Sequence, residues 1–202
     1  TALYSVLDEC GFFSKYDLKK DFSKDNTFFT THISHHLPGV ELSTGSLGHA
    51  LGVACGVAIA LKLQKQNSHI FTIISDGELD EGSTWESLLF ASHHNLTNLT
   101  TIVDSNKIQS FGTVKDVLNL EPLKSKFEAF GFKCLSINGH DHDEISSSLT
   151  SVKTDKTRPV VILANTVKGK GVSFMENVLL WHYKSPDESE YQAAVKELET
   201  NL

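Results

Sequence analysis

The chain has 202 residues, long enough for one α/β domain with a substantial buried core. Its formal charge of −7, from 18 Lys plus Arg against 25 Asp plus Glu, disfavours nucleic acid or an anionic membrane as a bulk partner. Cys10, Cys55 and Cys134 stand far apart without metal-type spacing, and no apolar run reaches the roughly 18 residues of a membrane span, so the composition predicts reduced thiols in a soluble, cytoplasmic protein.

Residues 1–20 read as a helix and turn, followed by a polar, poorly periodic loop from Asp21 to Pro38 that holds His32, His35 and His36. From Gly45 to Gln64 apolar and small residues alternate over a helical length, with Gly48, Gly52, Gly56 and Ala60 recurring every four positions on one face. Such a face lets another backbone approach closely, either the chain's own sheet or a partner subunit. Strands are predicted at Ile70 to Ser75, Thr100 to Val103, Phe132 to Ile137 and Pro159 to Ala164. Helices are predicted at Ser83 to His94, Glu121 to Ala129 and Asp143 to Lys153, with a last amphipathic helix from Asp187 to Leu198 after Ser185-Pro186. This alternation predicts a single α/β domain over residues 1–202, a mostly parallel sheet with helices on both faces.

The chemistry concentrates at two strand ends. Asp76-Gly77 follows one apolar run and Asn106 follows the next, thirty positions later. That spacing suits strand, crossover helix and parallel strand, which brings both side chains to the carboxyl edge where α/β sheets bind ligands. A carboxylate and an amide oxygen there make a site for a hard cation, and Gly77, lacking a Cβ, lets backbone N–H groups approach a phosphate bridged by the same ion. The natural occupants are Mg²⁺ and a diphosphate. Each residue alone also fits a humbler role, Asp76 as a helix cap and Asn106 as a turn residue.

Ser75-Asp76-Gly77 with Asp104-Ser105-Asn106-Lys107-Ile108 resembles the thiamine diphosphate motif written as GDG, a spacer and N. Flanking blocks narrow the resemblance to transketolases: Leu37-Pro38-Gly39-Val40-Glu41, Ser43-Thr44-Gly45-Ser46-Leu47-Gly48, Asp76-Gly77-Glu78-Leu79 with Glu81-Gly82, Asn119-Leu120-Glu121-Pro122-Leu123, and Lys168 to Glu176. The resemblance covers nearly the whole chain and implies the diphosphate-binding (PP) domain fold of thiamine diphosphate enzymes. It implies Mg²⁺ held by Asp76, Asn106 and the backbone carbonyl of Ile108. It also implies cofactor contacts from Gly45, Leu47, Gly48, Asp76, Gly77, Glu81, Asn106 and His182, with His32 lining the substrate channel as a catalytic residue. Ser75 for Gly, Ser46 for Pro, His49 for Gln and Tyr183 for Gly depart from the family pattern.

The resemblance further predicts a segment upstream of Ala2-Leu3-Tyr4 carrying a Ser-x-Gly-His-Ala loop, since the chain starts at Thr1 rather than Met. Transketolases activate the cofactor with a glutamate on a pyrimidine-binding domain, and nothing in this sequence looks like that domain. The implied protein is therefore the N-terminal subunit of a split transketolase, moving a two-carbon ketol unit (glycolaldehyde transfer) between sugar phosphates only together with a C-terminal pyrimidine-domain subunit, in a homo- or hetero-oligomer. A non-catalytic thiamine diphosphate-binding or assembly module is the alternative; a neighbouring pyrimidine-domain gene would separate the two. Leu-Pro-Gly-Val-Glu and Gly-Lys-Gly-Val-Ser-Phe-Met-Glu argue against other thiamine enzymes.

Overall fold

A computed structural model describes residues 1–200. The chain forms two compact units, Thr1–Ser46 and the remainder from Leu47. In the first, α1 (Ala2–Glu9) and the four-residue α2 (Leu18–Asp21) carry a core of Tyr4, Leu7, Phe13, Phe29, Leu37 and Val40. Its aromatic rings meet edge to face, Phe13 on Phe29 at 5.0 Å and Tyr4 on Phe29 at 5.5 Å, the geometry ring quadrupoles favour. The predicted loop from Asp21 to Pro38 carries no helix or strand beyond the end of α2.

The second unit opens with α3 (Ala50–Leu63), β1 (Ile70–Ser75), a 3-10 turn at Gly77–Asp80, α4 (Gly82–His93) and β2 (Leu99–Ser105). A small hairpin, β3 (Ile108–Gln109) and β4 (Gly112–Thr113), leads to α5 (Val114–Val117) and α6 (Leu123–Ala129). Then come β5 (Lys133–Asn138), α7 (His142–Thr154), β6 (Val160–Asn165), a 3-10 turn at Leu179–His182 and α8 (Glu188–Thr200). All four predicted strands and the helices between them are present. The helix read from Gly45 starts only at Ala50, because Gly48 sits at φ +80, outside helical space. The hairpin and both 3-10 turns carry no periodic signal and lie outside the predicted elements.

The sheet runs β1-β2-β6-β5, all parallel. Right-handed crossovers explain the layering. Steps from β1 to β2 and from β2 to β5 travel one way and put α4 and α6 on one face. The return step from β5 to β6 puts α7 on the other. Alternating β6 residues divide accordingly: Val161 and Leu163 join Leu51, Ala58, Leu88 and Phe127 in the larger core, while Val160 and Ile162 meet Val152 and Leu149 of α7. That second face is only half covered, and Ile73 of β1 is 70% exposed.

The core face of α3 is Leu51, Ala54, Cys55 and Ala58. Gly52, Gly56 and Ala60 lie on its exposed side, so the small-residue face is not what packs against the sheet. No described helix is long and apolar enough to cross a membrane.

Candidate metal and cofactor site

Parallel register sets Ser75 opposite Asp104, so Asp76 and Asn106 leave the same carboxyl edge. Asp76 is only 2% exposed. Its Oδ2 accepts from the Lys107 N–H at 2.7 Å, and its own N–H donates to the Asp104 carbonyl at 3.2 Å. Lys107 reaches back by adopting φ +69, a left-handed conformation that turns the chain sharply after Asn106. Asn106 Oδ1 accepts from the Ile108 N–H at 3.0 Å, an Asx turn that holds the Ile108 backbone beside the two polar side chains.

Asp104 orients Asn106: its Oδ2 accepts from Asn106 Nδ2 at 3.4 Å, and its Oδ1 takes the Thr166 hydroxyl at the end of β6. Burial pushes the Asp76 carboxyl above the usual range, the Lys107 and Gly77 N–H groups pull it back, and the Asp104 charge pushes it up again. A divalent cation would relieve this crowding of acids. Carboxylate, amide oxygen and backbone carbonyl are hard donors. Mg²⁺ takes such a set together with phosphate oxygens and water rather than in an all-protein cage. Among the described residues no group of three or more His, Cys, Asp or Glu forms such a cage. The donors present fit Mg²⁺ with a diphosphate.

Gly77 opens the 3-10 turn directly after Asp76. A Cβ there would meet nothing nearer than Gln109 Cγ at 3.6 Å, so the chain's own packing does not demand glycine. Ser75, which replaces the first Gly of the family motif, is not a defect: its Oγ accepts from the Glu78 N–H at 3.1 Å and caps the turn.

Gly48 is tied to the turn that follows Asp76. Its N–H donates to Glu78 Oε1 at 3.2 Å, and its carbonyl accepts from Ser83 Oγ at 2.8 Å. A Cβ at Gly48 would collide with Ser83 and come within 2.9 Å of Glu81 Cβ. Glu78, 7% exposed, is thus a bracing residue that the sequence pattern does not single out, although it stands two positions from Asp76. Burial raises its carboxyl, the Gly48 N–H lowers it and the Glu81 charge raises it again. Glu81 itself is exposed at the start of α4 and makes no cap bond. Leu47 is 50% exposed, and His49 stands exposed at the head of α3.

His182 lies in the 3-10 turn Leu179–His182, its Nδ1 3.3 Å from Lys168 Nζ; burial and then the Lys168 charge push its pKa down. Tyr183 uses its hydroxyl to donate to the Ser110 carbonyl at 2.6 Å, fastening this turn to the β3–β4 hairpin. The Lys168 to Gly171 loop is braced from within, Gly171 N–H donating to Glu176 Oε1 at 3.1 Å and Lys170 pairing with Glu176 at 3.4 Å.

In the first unit, the Tyr4 hydroxyl donates to the carbonyls of Thr30 and His32 at 3.1 and 3.0 Å, pinning the His32 loop to the aromatic core. His32 is exposed, and its Nδ1 lies 2.5 Å from where a Cβ on Gly45 would be, so only glycine fits beside the ring. His35 Nδ1 bonds Ser43 Oγ at 2.7 Å, and His36 stacks on Phe28 at 4.5 Å.

Fold and site together define an open, parallel α/β protein of the kind that takes its ligand outside the carboxyl ends of the strands. Residues 1–200 match the family described as transketolase, thiamine diphosphate binding domain. The chain is 40% identical over 195 residues to an apulose-4-phosphate transketolase subunit of Actinobacillus succinogenes, covering 96% of this chain and 70% of that protein. It is 39% identical over 199 residues to the 6-deoxy-6-sulfo-D-fructose transketolase subunit SqwG of Clostridium sp. (strain MSTE9), covering 98% and 72%. Among solved structures, transketolase from Campylobacter jejuni superposes with a TM-score of 0.77 at 30% identity over 94% of this chain, which spans 35% of that longer protein. The chain belongs to the transketolase family, as its thiamine diphosphate-binding domain.

Proposed function

We propose that this chain is the N-terminal subunit of a cytoplasmic split transketolase. Together with a separate pyrimidine-domain subunit, thiamine diphosphate and Mg²⁺, it transfers a two-carbon ketol unit between sugar phosphates. The observation that carries the reading is the convergence of Asp76 and Asn106 with the Ile108 backbone, organised by the Lys107 N–H and by Asp104. Asp76, Asn106 and the Ile108 carbonyl would hold the metal, and the metal would hold the diphosphate against the Gly77 turn. When bound, thiamine diphosphate supplies a nucleophilic carbon and an electron sink for the two-carbon unit.

The chain's own residues then have positional tasks. His182, whose pKa partial desolvation and the Lys168 charge both lower, offers a ring nitrogen to the diphosphate side. Leu47 presents exposed apolar surface for a cofactor ring, and Glu81 leaves a free carboxylate for a neighbouring chain. His32, whose backbone carbonyl accepts from the Tyr4 hydroxyl and whose ring lies beside Gly45, supplies an imidazole to a substrate hydroxyl. The partner docks on the groove between α3 and α4, about 500 Å³ in volume and lined by Gly52, Val53, Gly56, Ser87 and Phe90 among others. Relatives whose names make them subunits of a transketolase support a second polypeptide.

The test of the site is Asp76→Ala, measured by titrating thiamine diphosphate into the complex with the partner subunit, with and without Mg²⁺, and following circular dichroism for the fold. The reading expects a folded protein whose Mg²⁺-dependent binding is gone. Retained Mg²⁺-dependent affinity would remove Asp76 from the site. A chain that binds the cofactor but supports no transfer with its partner would be a binding module instead.

A further inference from the structure

Two buried polar atoms beside this site have no hydrogen-bond partner among the described residues, Gln109 Nε2 and Asp80 Oδ1. Gln109 is 7% exposed and sits on β3 directly after Ile108, with its Cγ and Cδ 3.6 and 3.8 Å from where a Cβ on Gly77 would be. Asp80 ends the 3-10 turn that Gly77 begins. Burial lifts the Asp80 carboxyl above its ordinary value, and the Gln109 amide is the neighbour that pulls it back. The two groups are therefore adjacent and complementary, a donor and an acceptor. The amide stands close enough to lower the carboxyl, yet neither Gln109 Nε2 nor Asp80 Oδ1 has a partner at hydrogen-bonding geometry among the described residues, a state native proteins rarely tolerate without a use.

We propose that Gln109 and Asp80 are a positioning pair: the Gln109 amide donates to the Asp80 carboxylate as the site fills, clasping the Gly77–Asp80 turn to the β3–β4 hairpin. The inference rests on the cofactor reading above, in which the turn presents Gly77 and the hairpin presents the Ile108 carbonyl. The turn follows β1 and the hairpin follows β2. The bond from Lys107 N–H to Asp76 already ties the beginning of the turn to the end of β2. The clasp ties its far end. It acts through backbone, sharpening the distance between the diphosphate side and the metal side of the site.

The experiment uses the full chain mixed with its pyrimidine-domain subunit, with thiamine diphosphate and Mg²⁺ as the probe. Trp85 is a built-in reporter, since its indole N–H donates to the Leu79 carbonyl of the turn at 2.7 Å. Gln109→Glu sets a second carboxylate against Asp80 and should weaken Mg²⁺-dependent affinity about tenfold. Asp80→Asn alone should bind near wild type, because its amide oxygen still accepts from Gln109. Added to Gln109→Glu, Asp80→Asn should restore affinity, the new amide donating to the new carboxylate. Wild-type affinity in Gln109→Glu, or failure of the rescue, overturns the clasp. A wild-type chain that binds no thiamine diphosphate even with its pyrimidine-domain subunit present overturns the cofactor reading instead. In that event the melting temperatures of the same four proteins decide the clasp, with coupling between the substitutions supporting it and additivity overturning it.

Discussion

Asp76 is a carboxylate that the fold buries to 2% exposure and that meets the backbone N–H groups of Lys107, at 2.7 Å, and Gly77. Its folded pKa is raised, first by burial. A carboxyl with a raised folded pKa contributes stability below its unfolded value, near 3.9, and loses that contribution as pH rises through the folded value. At neutral pH the ionised group therefore strains the cofactor-free protein. Asp76→Asn keeps an oxygen for the Lys107 N–H and removes the charge. It should stabilise the cofactor-free chain by roughly 0.5–2 kcal/mol at pH 8, and the gain should vanish as pH falls below about 4. Urea midpoints for both proteins from pH 4 to pH 8 read this directly, and a pH-independent difference would show that Asp76 is not under that tension. Stability given up at one residue is a common mark of a site built for a ligand. Asp76 and Asn106 are legible in the sequence because both close apolar strand runs and stand one strand–helix–strand unit apart. Glu78, Ser83 and Gln109 are not, because their roles depend on partners: Gly48 lies thirty and thirty-five positions from the first two.

Among the elements, β1 and its neighbours follow from short apolar β-branched runs, while the start of α7 is set by its Asp141 cap, a signal not read in the sequence, whose Oδ1 accepts from the Asp143 and Glu144 N–H groups at 2.9 Å. The start of α3 escapes the pattern because the 3.6-residue period continues back through Gly48, whereas long-range bonds to Glu78 and Ser83 hold that residue at positive φ. The same helix supplies an assembly prediction. Gly52 is exposed, and a Cβ there would meet only Ser87 Oγ, at 3.3 Å, a hydroxyl that can rotate away. Gly52→Leu should therefore leave the melting temperature of the isolated chain unchanged or raise it, since leucine favours helix by about 0.8 kcal/mol over glycine. The side chain fills the groove between α3 and α4, so association with the partner subunit should fall by about 1–3 kcal/mol. Sedimentation of the mixed subunits measures this. A variant that associates like wild type would show that the groove faces water in the assembled protein.

For the whole molecule, the family and the α/β class are legible from five ordered blocks, and the comparisons agree with both. What the sequence pattern could not convey is how incompletely the chain covers itself: Ile73 at 70%, Leu47 at 50% and Leu89 at 56% exposed leave apolar surface on the sheet, on the segment before α3 and on α4. A catalytic account with two subunits uses such surface. The decisive measurement is ketol transfer from a ketose phosphate to an aldose, assayed with thiamine diphosphate and Mg²⁺ for the chain alone, for a pyrimidine-domain subunit from the same source alone, and for the mixture. The account predicts turnover only in the mixture, reduced by His32→Ala while cofactor affinity is kept. Turnover by the chain unaided, or a mixture that binds the cofactor and transfers nothing, would contradict it.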